Sequence, residues 1–235
     1  MALPPLYFSY NGAKRTTFPS RCVSAYLLGR PETDWPRRMA MTELGNGLSA
    51  ANRHEDELMV VEAELAMERR LGASEYNILV MQSNIACTYR ALGRFEEAVS
   101  LQRDAYFGFL KLKGEEHRET LTAANNYAQS LIRLERFEEA RSLTRKRIPV
   151  ARRVLGESDE LTFKLRRMYA QSLYRDAGAT LDDLREAVTT LEEATPIARR
   201  VLGGAHPLTG EIEHRLREAR AALRAREAQS PGSAH

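Results

Sequence analysis

Apolar residues recur at intervals of three and four through the middle of the chain. Between residues 80 and 92 they are Val80, Met81, Ile85, Ala86, Tyr89 and Leu92. This spacing puts them on one face of an α-helix. A second stretch with the same spacing follows Gly93, and it opens with Glu96 and Glu97, where the helix dipole favours carboxylates. The pattern therefore predicts two helices joined by a turn at Gly93.

The same helix pair is encoded more than once. The segment LGRFEEA at 92–98 returns as LERFEEA at 134–140, forty-two residues later, and VARRVLG at 150–156 returns as IARRVLG at 197–203, forty-seven residues later. A repeat of this length is typical of stacked helical hairpins, because a single hairpin cannot bury its apolar face alone. The longer second interval indicates five extra residues, which we place at 178–182 in a turn that we expect to protrude.

Stacked hairpins account for most of the chain, so we predict an all-α fold, a superhelical array of antiparallel helix hairpins with a C-terminal capping helix. The repeat domain is predicted at 37–228, with units at about 37–72, 73–114, 115–156 and 157–203 and the capping helix at 207–228. Residues 1–36 contain five prolines and are predicted to be an irregular tail. Residues 229–235 have no apolar pattern and are predicted to be disordered.

Two prolines lie late in predicted second helices. Pro149 and Pro196 are forty-seven residues apart and hold equivalent positions in successive units. Proline inside a helix removes one backbone hydrogen bond, and its ring clashes with the preceding turn. We therefore expect both helices to bend or to end early.

The residues at the turn connect the repeat to a known family. Ala86, Tyr89, Gly93, Phe95 and Ala98 have the spacing of small and aromatic residues that resembles the tetratricopeptide repeat. The forty-two-residue period resembles the long-repeat subgroup typified by kinesin light chains. This resemblance implies a right-handed superhelical α-solenoid whose groove holds short peptides, and kinesin light chains hold acidic ones with an aromatic anchor. The chain has no heptad region of the kind that joins a kinesin light chain to its heavy chain, which argues against a motor subunit.

The third unit departs from that pattern. Arg166, Arg167 and Met168 stand where the preceding unit has Asn125 and Asn126. Leucine also replaces the aromatic residue that follows the turn in the preceding units. The third unit therefore matches the family's pattern less closely than the two units before it.

Composition limits the classes of function. Charged residues make up 29% of the chain, the net charge is only +3, and its basic residues are spread along the predicted helices, so nucleic-acid binding is not indicated. No apolar run approaches the ~18 residues of a membrane-spanning helix. The two cysteines, Cys22 and Cys87, have no paired spacing and favour reduced thiols in the cytoplasm. Four basic residues precede the first acidic one, Glu32, which leaves an organelle transit peptide as the weaker alternative.

No residue pattern favours catalysis. His117, Asp159 and His206 share one position in the linkers, three residues after a repeat glycine, where a helix cap explains them. Cys87 has no histidine or aspartate at a supporting helical spacing. The Glu-Glu pairs at 96–97 and 138–139 recur at the same turn, as helix starts would and a unique active site would not. We therefore predict no enzyme activity, no cofactor and no metal site.

A binding surface is predicted on the first helix of each unit, which faces the concave side in stacked hairpins. Its candidate peptide-binding residues are Asn84, Arg90, Asn125, Asn126, Gln129, Arg133, Lys164, Arg167, Gln171 and Arg175, and Asn46, Ser49 and Cys87 extend the surface toward the N-terminus. Amides can pair with a peptide backbone, and arginines bind carboxylates through two parallel hydrogen bonds. The hypothesis is a protein-interaction scaffold that binds an acidic or carboxylate-ended peptide. The alternatives are a self-associating repeat protein, through the basic stretch 145–153 or an end face, and a helical-repeat RNA binder.

Overall fold

A computed structural model describes residues 31–229, and every regular element in that range is an α-helix. The helices are α1 Trp35–Ala50, α2 His54–Arg70, α3 Glu75–Ala91, α4 Phe95–Lys113, α5 Arg118–Arg133, α6 Phe137–Leu155, α7 Glu160–Tyr174, α8 Leu181–Leu202 and α9 Pro207–Gln229. Helix α1 starts two residues before the predicted repeat domain, because Pro36 lies in its first turn, where a missing N–H costs nothing. The predicted tail at 1–36 otherwise lies largely outside the described residues, as does most of the one at 229–235.

The linker residues act as helix caps, as predicted. The Nδ1 atoms of His117 and His206 accept hydrogen bonds from the backbone N–H two residues later, at 3.4 and 3.2 Å. Asp159 accepts the corresponding bond through its carboxylate at 2.8 Å. Each satisfies one of the backbone donors that the first turn of a helix leaves unpaired.

The turn inside each of the first three hairpins is one structure built from three different residues. Asn52, Gly93 and Glu135 all have positive φ, of 55°, 74° and 58°. At Gly93 and Glu135 the following backbone N–H bonds to the carbonyl oxygen five residues earlier, at 2.9 Å in both turns. This is the Schellman arrangement that ends a helix, and glycine adopts it with the least strain. The repeat therefore conserves the turn even where it loses the glycine.

The first of two compact units comprises residues 31–105. Within it, α1 packs against α2 and α2 against α3. Leu58, Leu65 and Ile85 form its buried core. Partly buried residues around that core are Val61, Ile78, Met81, Tyr89, Leu92 and Leu101. The α1–α2 hairpin thus shares a small core with α3 inside the first unit.

The second unit comprises residues 106–229 and has a larger core. Each helix from α5 to α9 packs on the next one, and in addition α5 packs on α7 and α7 on α9. The first helices of successive hairpins therefore lie side by side. Alanines at the hairpin contacts, Ala128, Ala140, Ala170 and Ala187, are fully buried and allow the helices to approach closely.

The two prolines do not shorten their helices, so that part of the prediction is wrong. Helix α6 continues past Pro149 to Leu155, and α8 continues past Pro196 to Leu202. Val150, Ala151 and Ala198 are buried just beyond the prolines. Packing of these last turns offsets the single backbone hydrogen bond that each proline removes.

The extra residues near 178–182 also behave differently from expectation. Ala179 is buried, and Thr180 and Asp183 form a capping box at the start of α8. The guanidinium of Arg226 in α9 donates to the carbonyl oxygens of Ala177 and Ala179 at 3.1 and 2.9 Å. The longer turn is therefore held against the last helix instead of protruding freely.

Candidate interaction site on the first helices

The first helices of the second unit bring most of the predicted residues together. Six of them, Asn126, Gln129 and Arg133 on α5 with Lys164, Arg167 and Arg175 at α7, are at least partly accessible, and we call this set the first-helix face. Because α5 packs directly on α7, the six lie on neighbouring helices. The predicted Asn84 and Arg90 belong to the first unit.

Two predicted residues lie beneath this face. Asn125 is 8% exposed and Gln171 is 6% exposed. The Asn125 amide donates a long hydrogen bond of 3.4 Å to the Asn126 side chain. Their amides are covered because the first helices approach one another closely. Asn125 and Gln171 therefore pack under the first-helix face and are not available to a ligand as they stand.

Arg166 does not point toward the groove. It is 2% exposed and donates to the carbonyl oxygen of Thr190 at 3.0 Å and to the carboxylate of Glu193 at 2.8 Å, both on α8. Forty-two residues earlier stands Ala124, which is fully buried. Position 166 therefore belongs to the layer between the helices, and its arginine stabilises the α7–α8 hairpin.

Arg167 is already engaged inside the protein. Its side chain is 12% exposed and forms a close ion pair with Glu211 on α9. Burial lowers the pKa of Arg167, the Glu211 carboxylate opposes that shift, and Arg215 adds to it. A partner could recruit this guanidinium only by displacing Glu211.

The neighbouring contact between α7 and α9 is a second polar cluster. The Tyr174 hydroxyl donates to Glu218 at 2.6 Å, and the Arg215 guanidinium donates to the same carboxylate at 2.8 Å. Burial, together with the hydrogen bond to Glu218, raises the pKa of Tyr174 well above its usual value. Burial alone would raise the pKa of Glu218, but the bonds from Tyr174 and Arg215 bring it below the usual range. Tyr174 was missed in the sequence because its position reads as apolar core.

The uncompensated charge of the first-helix face lies at one end of the two helices. Lys164 pairs with Glu160 at 3.3 Å. Arg133 and Arg175 are exposed, and no acidic side chain within residues 31–229 forms an ion pair with either. They are forty-two residues apart, at the C-terminal ends of α5 and α7. Two guanidinium groups are thus presented to solvent from equivalent positions.

The first unit contains a different kind of site. A cavity of about 190 Å³ opens between α1, α2 and α3. The predicted residues Asn46, Ser49, Asn84 and Cys87 line it, together with Thr42, Gly45, Glu57, Val61, Glu64, Met81, Ile85 and Thr88. We call it the α1–α3 cavity. The predicted Arg90 does not line this cavity, and its guanidinium donates to the Cys87 sulfur at 3.5 Å.

Two carboxylates in the α1–α3 cavity were missed by the sequence prediction. Glu57 accepts a hydrogen bond from the Thr88 hydroxyl and contacts the Nδ1 atom of His54, both at 2.9 Å. Glu64 accepts a bond from the Thr42 hydroxyl at 2.5 Å, and its burial raises its pKa. A signal was present, since positions 57, 61 and 64 lie on one face of α2 and Val61 is apolar. It was overlooked because α2 is a second helix, which was not expected to contribute to a groove.

Neither a metal-binding cluster nor a membrane-spanning helix is found in the part of the chain that the structure describes. There, no group of three or more histidine, cysteine, aspartate or glutamate side chains is arranged to hold a metal ion. Among the described helices, none combines the length and apolar character that a membrane crossing requires.

Comparison with known proteins supports the repeat that was predicted from the sequence. Residues 77–153 match the family model of the tetratricopeptide repeat, and this stretch runs from α3 into α6. The described chain has the all-α fold of a tetratricopeptide-repeat solenoid. Tetratricopeptide repeats generally serve as protein-interaction scaffolds.

Solved structures show which subgroup of tetratricopeptide repeats the fold is similar to. The nearly identical TPR-like repeats of a kinesin light chain protein from Podosopora anserina superpose with a TM-score of 0.67 at 21% identity, covering 86% of this chain and 92% of that one. A variant of the same repeats gives 0.68 at 21% identity, covering 82% and 89%. BtubC (BKLC) from P. vanneervenii gives 0.62 at 15% identity, covering 85% and 84%. The fold is that of kinesin-light-chain-like repeats, which confirms the prediction from the forty-two-residue period. No curated protein matches the chain in sequence.

Proposed function

We propose that this protein is a non-catalytic interaction scaffold that binds an acidic peptide segment on the first-helix face. The observation that carries the proposal is the pair of exposed guanidinium groups of Arg133 and Arg175, which have no acidic partner among residues 31–229. A cytoplasmic location fits this role and stays a prediction.

The spacing of the two arginines suits an extended peptide. Packed helices lie about 8–10 Å apart, and an extended chain advances about 3.3 Å per residue. Carboxylates two or three residues apart in the peptide would therefore reach both arginines. Each guanidinium can bind a carboxylate through two parallel hydrogen bonds. The partly exposed amides of Asn126 and Gln129 lie nearby on α5 and can pair with the peptide backbone.

The basic stretch at 145–153, one of the two surfaces considered for self-association, is largely neutralised by ion pairs within the protein. Its ion pairs are Arg145 with Glu186, Arg147 with Glu115, Arg152 with Glu157 and Arg153 with Glu116. A surface whose cations already have carboxylate partners attracts phosphates weakly, so it favours neither RNA binding nor contact through charge. An end face as the contact between copies stays a prediction.

A peptide array with two acidic residues at varied spacing, beside neutral and basic versions, tests the proposal. We expect the wild-type protein to retain peptides whose acidic residues are two or three positions apart. The double variant Arg133→Glu, Arg175→Glu should bind them at least about tenfold more weakly, because two exposed ion pairs are replaced by repulsion. The pair Arg133→Gln, Arg175→Gln removes the charge without placing a carboxylate at a helix C-terminus.

The matched control is Lys146→Glu with Arg200→Glu. Both residues are exposed on second helices, α6 and α8, and neither forms an ion pair with a side chain in the described range. The change in net charge equals that of the test variant. If control and test variants weaken binding equally, only the net charge matters and the first-helix face is not the site.

A further inference from the structure

Acidic and basic residues are divided unequally between the two units. Residues 31–105 carry thirteen acidic and eight basic side chains, whereas residues 106–229 carry nineteen acidic and twenty-three basic ones. An acidic unit is a poor partner for an acidic peptide, because like charges repel. The first unit is therefore better suited to a positively charged ligand.

The α1–α3 cavity concentrates this negative charge. Its lining contains the carboxylates of Glu57 and Glu64, and none of the described residues that line it is basic. The nearby Arg38 is already bound to Glu68, with 2.6 Å between its Nη2 atom and Oε2. His54 contacts Glu57 from the same helix. The cavity thus has two partly buried carboxylates and little positive charge to balance them.

The rest of the lining is apolar or amide-bearing. Val61, Met81 and Ile85 supply aliphatic and thioether surface, while Asn46 and Asn84 supply polar groups. Gly45 leaves space beside Val61 in the cavity wall. A Cβ atom at position 45 would lie only 3.3 Å from a Val61 methyl group. Such a cavity fits a flexible alkyl chain that ends in a charged group. Lysine and arginine have that form, with an apolar stem and a cationic head.

We propose that the α1–α3 cavity holds a lysine or arginine side chain of a protein partner. The alkyl stem packs against Val61, Met81 and Ile85, and the cationic head pairs with Glu64. Glu64 is the better acceptor of the two carboxylates. Glu57 already has side-chain contacts with both Thr88 and His54, whereas the side-chain hydrogen bond to Glu64 comes from the Thr42 hydroxyl alone in the described lining. The inference depends on the proposed function only in that the side chain comes from a protein, and the cation site itself does not depend on the acidic-peptide face.

Small alkyl probes test the cavity directly. The full-length protein, labelled at methyl groups, is titrated with n-butylammonium and n-butylguanidinium and followed by NMR. We expect saturable shifts of the Val61, Met81 and Ile85 methyl signals with both cations and none with butyrate. Equal shifts with n-butanol would show an apolar cavity without charge selectivity and would overturn the proposal, as would the absence of any shift.

Glu64→Gln isolates the carboxylate. This nearly isosteric change should weaken cation binding at least about tenfold, since it removes the charge and leaves the shape. Glu43→Gln, at an exposed position on α1 outside the cavity lining, is the matched control and should leave the affinity unchanged. Should Glu64→Gln not fold, Asn84→Asp decides the matter, because a third carboxylate in the lining should strengthen cation binding. Unchanged or weaker binding in that variant contradicts the proposal.

Because the probes contain no acidic peptide, the two proposals fail independently. Loss of acidic-peptide binding in the arginine variants with intact butylammonium binding supports both sites. Butylammonium binding without any acidic-peptide binding removes the proposed function and leaves the cation site.

Discussion

At the scale of single residues, burial decides what a charged side chain does. Arg133 and Arg167 look alike in the sequence, yet Arg133 is exposed and has no acidic partner in the described part of the chain, whereas Arg167 is 12% exposed and bound to Glu211. Residue type and repeat position can be read from the sequence, and the structure shows that Arg133 is exposed; its role in peptide binding stays a prediction. The partner of Arg167 could not be predicted, because Glu211 lies forty-four residues away on the capping helix. Any test by mutation should therefore use Arg133 and Arg175 and avoid Arg167.

Glu64 gives a prediction for stability. Burial raises its pKa, so the folded state holds the neutral form more readily than the unfolded chain does. Its favourable contribution is complete below the pKa of an ordinary glutamate, about 4.3, and is lost as the pH rises through the folded-state value. Glu64→Gln should therefore raise the thermal unfolding midpoint at pH 7, and the gain should shrink as the pH falls toward 4.

Thermal unfolding followed by circular dichroism at several pH values checks this. Comparison with the wild type cancels the contributions of the nearby Arg38, Glu68, His54 and Glu57, which both proteins share. A gain that is the same at pH 7 and pH 4 would show that ionisation of Glu64 is not its cause.

At the scale of helices and turns, apolar periodicity predicted the hairpins well. The three-and-four spacing identified the helices on either side of Gly93, and the repeat located the capping residues His117 and His206. The effect of the prolines was predicted wrongly. The cost of proline inside a helix is a local effect, whereas the burial of the residues beyond each proline depends on tertiary packing, which the local pattern does not show. The carboxylates of α2 were missed because α2 is a second helix, and only first helices were expected to line a groove.

The hairpin turn offers a prediction at this scale. Glu135 has φ of 58° where the preceding unit has Gly93 at 74°. A residue with a Cβ atom is strained in this conformation, whereas glycine is not, although glycine gives the unfolded chain more freedom. Glu135→Gly should therefore increase the free energy of unfolding by about 0.5–1 kcal/mol.

Urea denaturation measures this difference. The reverse change, Gly93→Ala, should lower the free energy of unfolding by about 1 kcal/mol through the same backbone strain, since an added methyl group would meet no other atom within 4 Å. A Glu135→Gly protein less stable than the wild type would mean that the glutamate side chain makes a contribution larger than the strain.

At the scale of the whole molecule, a common repeat carries two chemically different surfaces. The second unit presents Arg133 and Arg175, which lack acidic partners within the described range, at the ends of its first helices. The first unit holds carboxylates in a cavity. The overall net charge of +3 conceals this division, because an acidic unit and a basic one nearly cancel. A partner that uses both sites would need an acidic segment and a basic side chain, a requirement more selective than charge of one sign alone.

Hydrogen exchange measured by mass spectrometry, with and without the best acidic peptide from the array, tests the central claim most directly. Binding on the first-helix face should slow exchange at the ends of α5 and α7, around residues 126–136 and 168–178, and leave α6 and α8 unchanged. Slower exchange confined to the basic stretch 145–153, or no protection at a peptide concentration that saturates the protein, would contradict the account.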